Sequence, residues 1–311
     1  MEQLIQHIVV GFDFSAQARE AFGAALALAR RVGAEVHAVA ALPGHLDVDV
    51  VRSAGQSAEG RYDQLYTNEP LMENLQSRMV AEARALGAEE VKVTCEVSQR
   101  RPILAIFEVA SIYRADLLVV GATGLGAIQR LLVGSTSEKL VNKSRWPVWV
   151  VKPGCAWPPR RILCPVDFSV ASRRALGWAG EIAQLYGAHV DVLTVRELIP
   201  RQWMDVYGDF YDPEMAQASL ESREHTLNAL QQFCDIEDFR GVSWEPVLAS
   251  GRPDEAILET VASRGSDLLC MGSVGRSGIE GALVGNTAER VMRELPCSLL
   301  TAKPDDFILK H

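Results

Sequence analysis

The chain alternates between short apolar runs and longer segments whose apolar residues recur every three or four positions. In the first half the runs are "HIVVGF" (7–12), "AEVHAVAAL" (34–42), "VKVTCEV" (91–97), "DLLVVG" (116–121) and "PVWVVK" (147–152). Their length and β-branched content predict strands. Between them, "SAQAREAFGAALALARRVG" (15–33) places Ala18, Phe22, Ala25 and Ala29 on one helical face. Ser15 is the expected cap of that helix and Gly33 its stop. Further helices are predicted near 70–87, over 102–114, where Pro102 takes the first helical position, and over 135–144. Strands that are apolar along their whole length, alternating with helices, imply a parallel sheet covered on both faces.

The same pattern returns in the second half. "IVVGFDFSAQAREAFGAALALARRVGAEV" (8–36) aligns with "ILCPVDFSVASRRALGWAGEIAQLYGAHV" (162–190) at a constant offset of 154. "RPILAIFEVASIYRADLLVVGATG" (101–124) aligns with "RPDEAILETVASRGSDLLCMGSVG" (252–275) at an offset of 151. The predicted architecture is therefore a tandem duplication of a five-stranded, doubly wound, Rossmann-like α/β domain. The expected domains are 1–152 and 161–311, joined by a Pro-rich linker over 153–160.

Composition narrows the function. A chain of 311 residues with 48% hydrophobic content can build two ordinary cores. A net charge of −9 argues against nonspecific nucleic-acid binding, which needs a basic face. The start of the chain reads as no signal peptide, and no apolar stretch reaches the roughly 18 residues of a membrane span. The six cysteines (95, 155, 164, 234, 270, 297) show no C-x-x-C, so neither disulfides nor a zinc site is expected. Cys164, Cys270 and Cys297 read as buried thiols, and a reducing cytoplasm is the expected location. The six histidines (7, 37, 45, 189, 225, 311) have no metal-binding spacing along the chain.

Ligands of open parallel sheets bind beyond the carboxyl ends of the strands, where the strand order reverses. Asp13, Ala40-Ala41 and Gly121 all fall at such ends. Gly121 and Gly124, lacking Cβ atoms, would let a ligand approach the backbone. Gly134 precedes a helix whose N–H groups and dipole favour an anion, most simply phosphate. A structural reading stands beside this one. "STSE" (135–138) has the form of a capping box with Ser135 as cap, and "NTAE" (286–289) repeats it with Asn286.

These residues resemble the universal stress protein family. Its nucleotide-binding signature, G-x2-G-x9-G-[ST], appears as Gly121, Gly124, Gly134 and Ser135, and again as Gly272, Gly275, Gly285 and Asn286. Asp13 and Asp167 match the family's first-strand Asp, and "PVWVVKP" and "PCSLLTAKP" resemble its last strand. The resemblance covers nearly the whole chain twice and is closest to the long tandem subclass. It implies an adenine nucleotide, ATP or a relative, with or without Mg²⁺. The implied base side is Gly11, Asp13 and Ala41 in the first half, and Pro165, Asp167 and Val195 in the second. The implied phosphate side is Gly121, Gly124, Gly134, Ser135 and Thr136, or Gly272, Gly275, Gly285, Asn286 and Thr287, and Val120 and Met271 also belong to the implied sites.

The halves depart from the signature differently. Gly11 and Ala41 offer a base little apolar surface, whereas Pro165 and Val195 offer more. Asn286 replaces the usual hydroxyl. Arg100 stands where the family has glycine, with Gly251 kept in the second half, so its side chain is expected to fill the crevice or reach a phosphate. No catalytic motif is present. The resemblance implies a nucleotide-dependent regulatory or protective module in the stress response, with a slow ATPase or other nucleotide-dependent enzyme, and an interaction scaffold with degenerate sites, as alternatives. An unidentified protein partner is expected. The last strands are expected to pair within the chain as a pseudo-dimer, with further homodimerisation open. The aromatic segment 203–211 is expected to pack on its own domain, roof the crevice or contact a partner.

Overall fold

The computed structural model describes residues 5–42, 69–123, 134–155, 157–196, 213–236, 239–274, 284–294 and 296–303, with backbone alone over 213–222. The chain divides into two compact units between Pro153 and Gly154. Gly124, Gly275 and the aromatic segment 203–211 lie outside the described residues.

The first unit runs β1 (His7–Gly11), α1 (Ala16–Val32), β2 (Glu35–Ala41), α2 (Glu69–Ala85), β3 (Val93–Ser98), α3 (Pro102–Ile112), β4 (Leu117–Gly121), α4 (Ser135–Lys143) and β5 (Val148–Val151). Its strand order is β3-β2-β1-β4-β5, with the neighbours parallel. Ile8, Val9 and Val10 are all fully buried. Successive side chains on a strand point to opposite faces, so the sheet is covered on both.

Local sequence explains the helix ends. Ser15 accepts a hydrogen bond from the Ala18 N–H, and Gly33 closes α1 in the left-handed conformation. Ala18, Phe22, Ala25 and Ala29 are all buried, as their spacing predicts. Pro102 occupies the first turn of α3.

The second unit runs β6 (Arg161–Pro165), α5 (Val170–Tyr186), β7 (His189–Arg196), α6 (Pro213–Cys234), β8 (Ser243–Ser250), α7 (Pro253–Arg264), β9 (Leu268–Gly272), α8 (Asn286–Glu294) and β10 (Ser298–Ala302). Read from its own outer strand, the order is β8-β7-β6-β9-β10, which repeats that of the first unit. In each unit the order reverses between the first and fourth strands, so the crevice of a doubly wound sheet opens there.

Candidate functional site

The turn after β1 builds one wall of this crevice. Asp13 Oδ1 accepts a hydrogen bond from the Ser15 N–H at 3.1 Å. Between them Phe14 takes a left-handed conformation with φ of 63°. Such a conformation costs a non-glycine residue roughly 1–2 kcal/mol. The Asp13 and Ser15 side-chain bonds offset it, as does the packing of Phe14 edge-on to Phe12, ring centroids 4.9 Å apart. The second unit repeats the device: Phe168 has φ of 63°, and Ser169 N–H donates to Asp167 Oδ1 at 3.0 Å. The first-strand Asp in each unit therefore holds the turn that starts the next helix.

A cavity of about 280 Å³ opens at this point in the first unit, near the lower end of small-ligand pockets. Gly11 at the end of β1 borders it with Phe12 and Asp13 of the turn that follows, Val39 and Ala41 from β2, and Val120 and Gly121 from β4. Pro102, Ala105 and Ile106 of α3 add an apolar wall. The other end is polar, formed by Thr123, Gly134, Ser135, Thr136 and Ser137. The sequence-predicted residues of the first half thus come together, Gly124 aside. In the second unit Pro165, Asp167 and Val195 stand at the equivalent strand ends and are partly exposed. Their register is the same: Val166 N–H donates to the Leu193 carbonyl as Phe12 N–H does to that of Val39.

Four expectations change. First, Ser135 is not the cap of α4. Gly134 is, with no side-chain cap bond, and the carbonyl of Gly134 accepts from the Glu138 N–H at 2.9 Å. The helix start therefore faces the cavity without a side chain of its own over its N–H groups. In the second unit Asn286 is likewise the first residue of α8, and Glu289 N–H donates to the Gly285 carbonyl at 3.1 Å.

Second, Gly121 makes room for a helix as well as bordering the cavity. A Cβ there would lie 2.8 Å from the carbonyl carbon of Gln17, in the first turn of α1. Gly272 does the same against Ala171 and Ser172, both at 3.0 Å. At Gly11 a Cβ would lie 2.7 Å from Ile106 Cδ1, the tip of a side chain that can turn aside, so packing there is less restrictive than at Gly121.

Third, the first unit is not poor in apolar surface. The lack at Gly11 and Ala41 is made up by Ile106, Val39 and Val120. Fourth, Arg100 neither fills the crevice nor borders it. Its guanidinium pairs with Glu108 at 2.9 Å on the exposed side of α3.

Sequence reading missed the α3 wall, Ser137, and also Phe12, Ala18, Val39 and Thr123. The signal for the wall was present: Pro102, Ala105 and Ile106 are each identical in the second copy, as Pro253, Ala256 and Ile257. Ser137 left no such signal, because Ala288 replaces it.

The sequence profile of the Universal stress protein family matches residues 4–152 and again 159–303, nearly the whole chain. The chain belongs to the universal stress protein family. The universal stress protein E homolog of Haemophilus influenzae is 46% identical over 203 residues, which span 61% of this chain and 62% of that protein. Universal stress protein E of Escherichia coli K12 is 27% identical over 230 residues, 70% of this chain and 69% of its own. A universal stress protein from Archaeoglobus fulgidus has the same fold, with a TM-score of 0.62 at 20% identity over 96% of this chain and 97% of that one. Both copies of the duplicated unit are thus universal stress protein domains.

Proposed function

We propose that the first unit binds an adenine nucleotide and that this chain acts as a nucleotide-dependent regulatory or protective module of the stress response. The observation that carries the reading is the cavity at the β1–β4 switch point, apolar at one end and closed at the other by a helix start with no side-chain cap. An apolar slot beside Ile106, Val39 and Val120 suits a flat base. The N–H groups at the start of α4, with the Ser135 and Thr136 hydroxyls, suit phosphate oxygens, since both the orphan donors and the helix dipole favour negative charge. Among the described lining residues Asp13 is the one carboxylate. Mg²⁺ accompanying the nucleotide would take most of its ligands from phosphate and water, as that ion commonly does.

The second unit offers a related site built from Pro165, Asp167, Val195, Gly272, Gly285, Asn286 and Thr287. Asn286 brings an amide where the first unit has a hydroxyl, so the two sites are expected to differ in affinity.

Titration calorimetry of the full chain with ATP, ADP and AMP tests the reading. Saturable binding weakened by Ile106→Arg, which places a long cation in the apolar slot, is expected. Absence of heat with all three nucleotides would leave the scaffold alternative standing.

A further inference from the structure

The opposite end of the first sheet, where β1 and β2 begin, carries a second polar cluster. His7 begins β1 and Glu35 begins β2, and the two are partners in the parallel register. His37 lies two residues further along β2, on the same face as Glu35 because the side-chain period of a strand is two. These three residues come from chain positions without metal-binding spacing. The sheet nevertheless brings one ligand atom from each within 4.8 Å of the others.

His7 Nδ1 and His37 Nε2 are 3.2 Å apart. Metal–nitrogen bonds of about 2.0–2.1 Å at a tetrahedral angle put two imidazole nitrogens about 3.3 Å apart. His37 Nδ1 lies 2.8 Å from Thr94 Oγ1, its register partner on β3. In the tautomer whose Nδ1–H donates to that hydroxyl, the lone pair of Nε2 points toward His7. This is the usual orientation of a metal-binding imidazole held by a partner on its other nitrogen. The Tyr113 ring stacks on His37 with centroids 3.7 Å apart and locks its plane. His7 is partly exposed and leaves an entry path.

The second unit has a charged counterpart at the same place. Arg161 takes the position of His7, His189 that of Glu35 and Asp191 that of His37. The carboxylate of Asp191 is fully buried and accepts from Arg161 Nη2 at 2.7 Å and from Arg264 Nη1 at 3.0 Å. Glu245, opposite Asp191 on β8, also pairs with both arginines. Guanidinium groups therefore supply the positive charge there. In the first unit Lys92 pairs with Glu35 at 2.7 Å from an exposed position.

We propose that His7, Glu35 and His37 form a binding site for a divalent transition ion of the zinc class at the amino-terminal ends of β1 and β2. Two imidazoles and a carboxylate are a borderline donor set that suits Zn²⁺ and its neighbours rather than Mg²⁺ or Ca²⁺. Three protein ligands leave a fourth position for water. Lys92 is displaced from Glu35 or keeps one carboxylate oxygen while the metal takes the other. The site joins the two strands whose far ends border the nucleotide cavity, and it does not depend on that cavity being occupied.

The test is titration of the chelator-treated full chain with ZnCl₂ by calorimetry, with Co²⁺ absorption as a second readout. One saturable Zn²⁺ site is expected, together with a rise in melting temperature on zinc addition. Thr94→Val, which removes only the orienting hydroxyl, is expected to weaken binding roughly 10–100-fold. His7→Gln and Glu35→Gln are each expected to weaken it by more than Thr94→Val does. Both positions are partly exposed, so these variants should fold, as a wild-type circular dichroism spectrum would verify. The proposal is overturned if the wild type takes up no zinc saturably, or if His7→Gln and Glu35→Gln bind it like the wild type. Thiolate charge-transfer bands in the Co²⁺ spectrum would also overturn it, by assigning the metal to cysteine.

Discussion

The hydroxyl of Ser137 donates to the carbonyl of Gly121 at 2.7 Å, tying the first turn of α4 to the end of β4. The backbone repeats the tie, for Gly134 N–H donates to the Ala122 carbonyl at 2.6 Å. In the second unit Gly285 N–H donates to the Ser273 carbonyl at 2.8 Å, and Ala288 has no hydroxyl to add. The helix start that borders the first cavity is thus pinned twice.

Ser137→Ala should therefore remove about 1–2 kcal/mol, because a buried donor is lost and its acceptor is left in a confined place. The measurement is the urea midpoint together with hydrogen exchange over the start of α4. Protection there should fall while that of α8 stays constant. Unchanged exchange at α4 would show that the backbone bond alone sets its position.

Ser135→Ala separates cap from ligand contact. Ser135 is exposed and is not the cap, so stability should stay within about 0.5 kcal/mol of wild type. Nucleotide affinity should fall about tenfold or more, the effect of losing a hydrogen bond to a charged group. A loss of stability with affinity intact would restore the capping role.

Gly121→Ala drives a methyl group to within 2.8 Å of the Gln17 backbone. Backbone cannot turn aside as a side chain can, so α1 or β4 must shift. A cost of about 1–3 kcal/mol is expected from such overpacking. Gly272→Ala, with its nearest atoms at 3.0 Å, should cost less. Thermal melting of the two variants side by side gives the order, and equal stability of Gly121→Ala and wild type would contradict the packing argument.

Thiol reactivity follows from burial. Cys95, Cys164, Cys234, Cys270 and Cys297 are buried, and Cys155 is partly exposed. Burial pushes the Cys95 thiol up to about 11 and that of Cys234 to about 12, and it raises those of Cys164 and Cys270 as well. The thiolate is the reactive form, so these groups are inert in the native chain. A disulfide reagent at neutral pH should modify Cys155 quickly and the others only on unfolding. Peptide mapping of the labelled chain checks the assignment.

Much of the fold was legible because its determinants are local or repeated. Apolar runs marked the strands, Ser15 and Gly33 marked the ends of α1, and the constant offset between halves marked the duplication. The same repeat held a signal for the α3 wall, in Pro102, Ala105 and Ile106 and their identical counterparts. The capping box at 135–138 misled because its letters also suit the first turn of a helix. Which residue becomes the cap depends on where the chain turns in, and that is set by the bond from Gly134 to Ala122.

By itself the sequence determined two copies of a parallel α/β domain, the family to which they belong, and half of the residues around one crevice. Hydrophobic periodicity, turn residues and a signature repeated in register are all written along the chain. Only the tertiary structure decided that Gly121 answers to Gln17, that Arg100 turns out to Glu108, and that His7 meets His37. Parallel strands set residues some thirty positions apart side by side at equal height, and no spacing along one strand records what stands on the next.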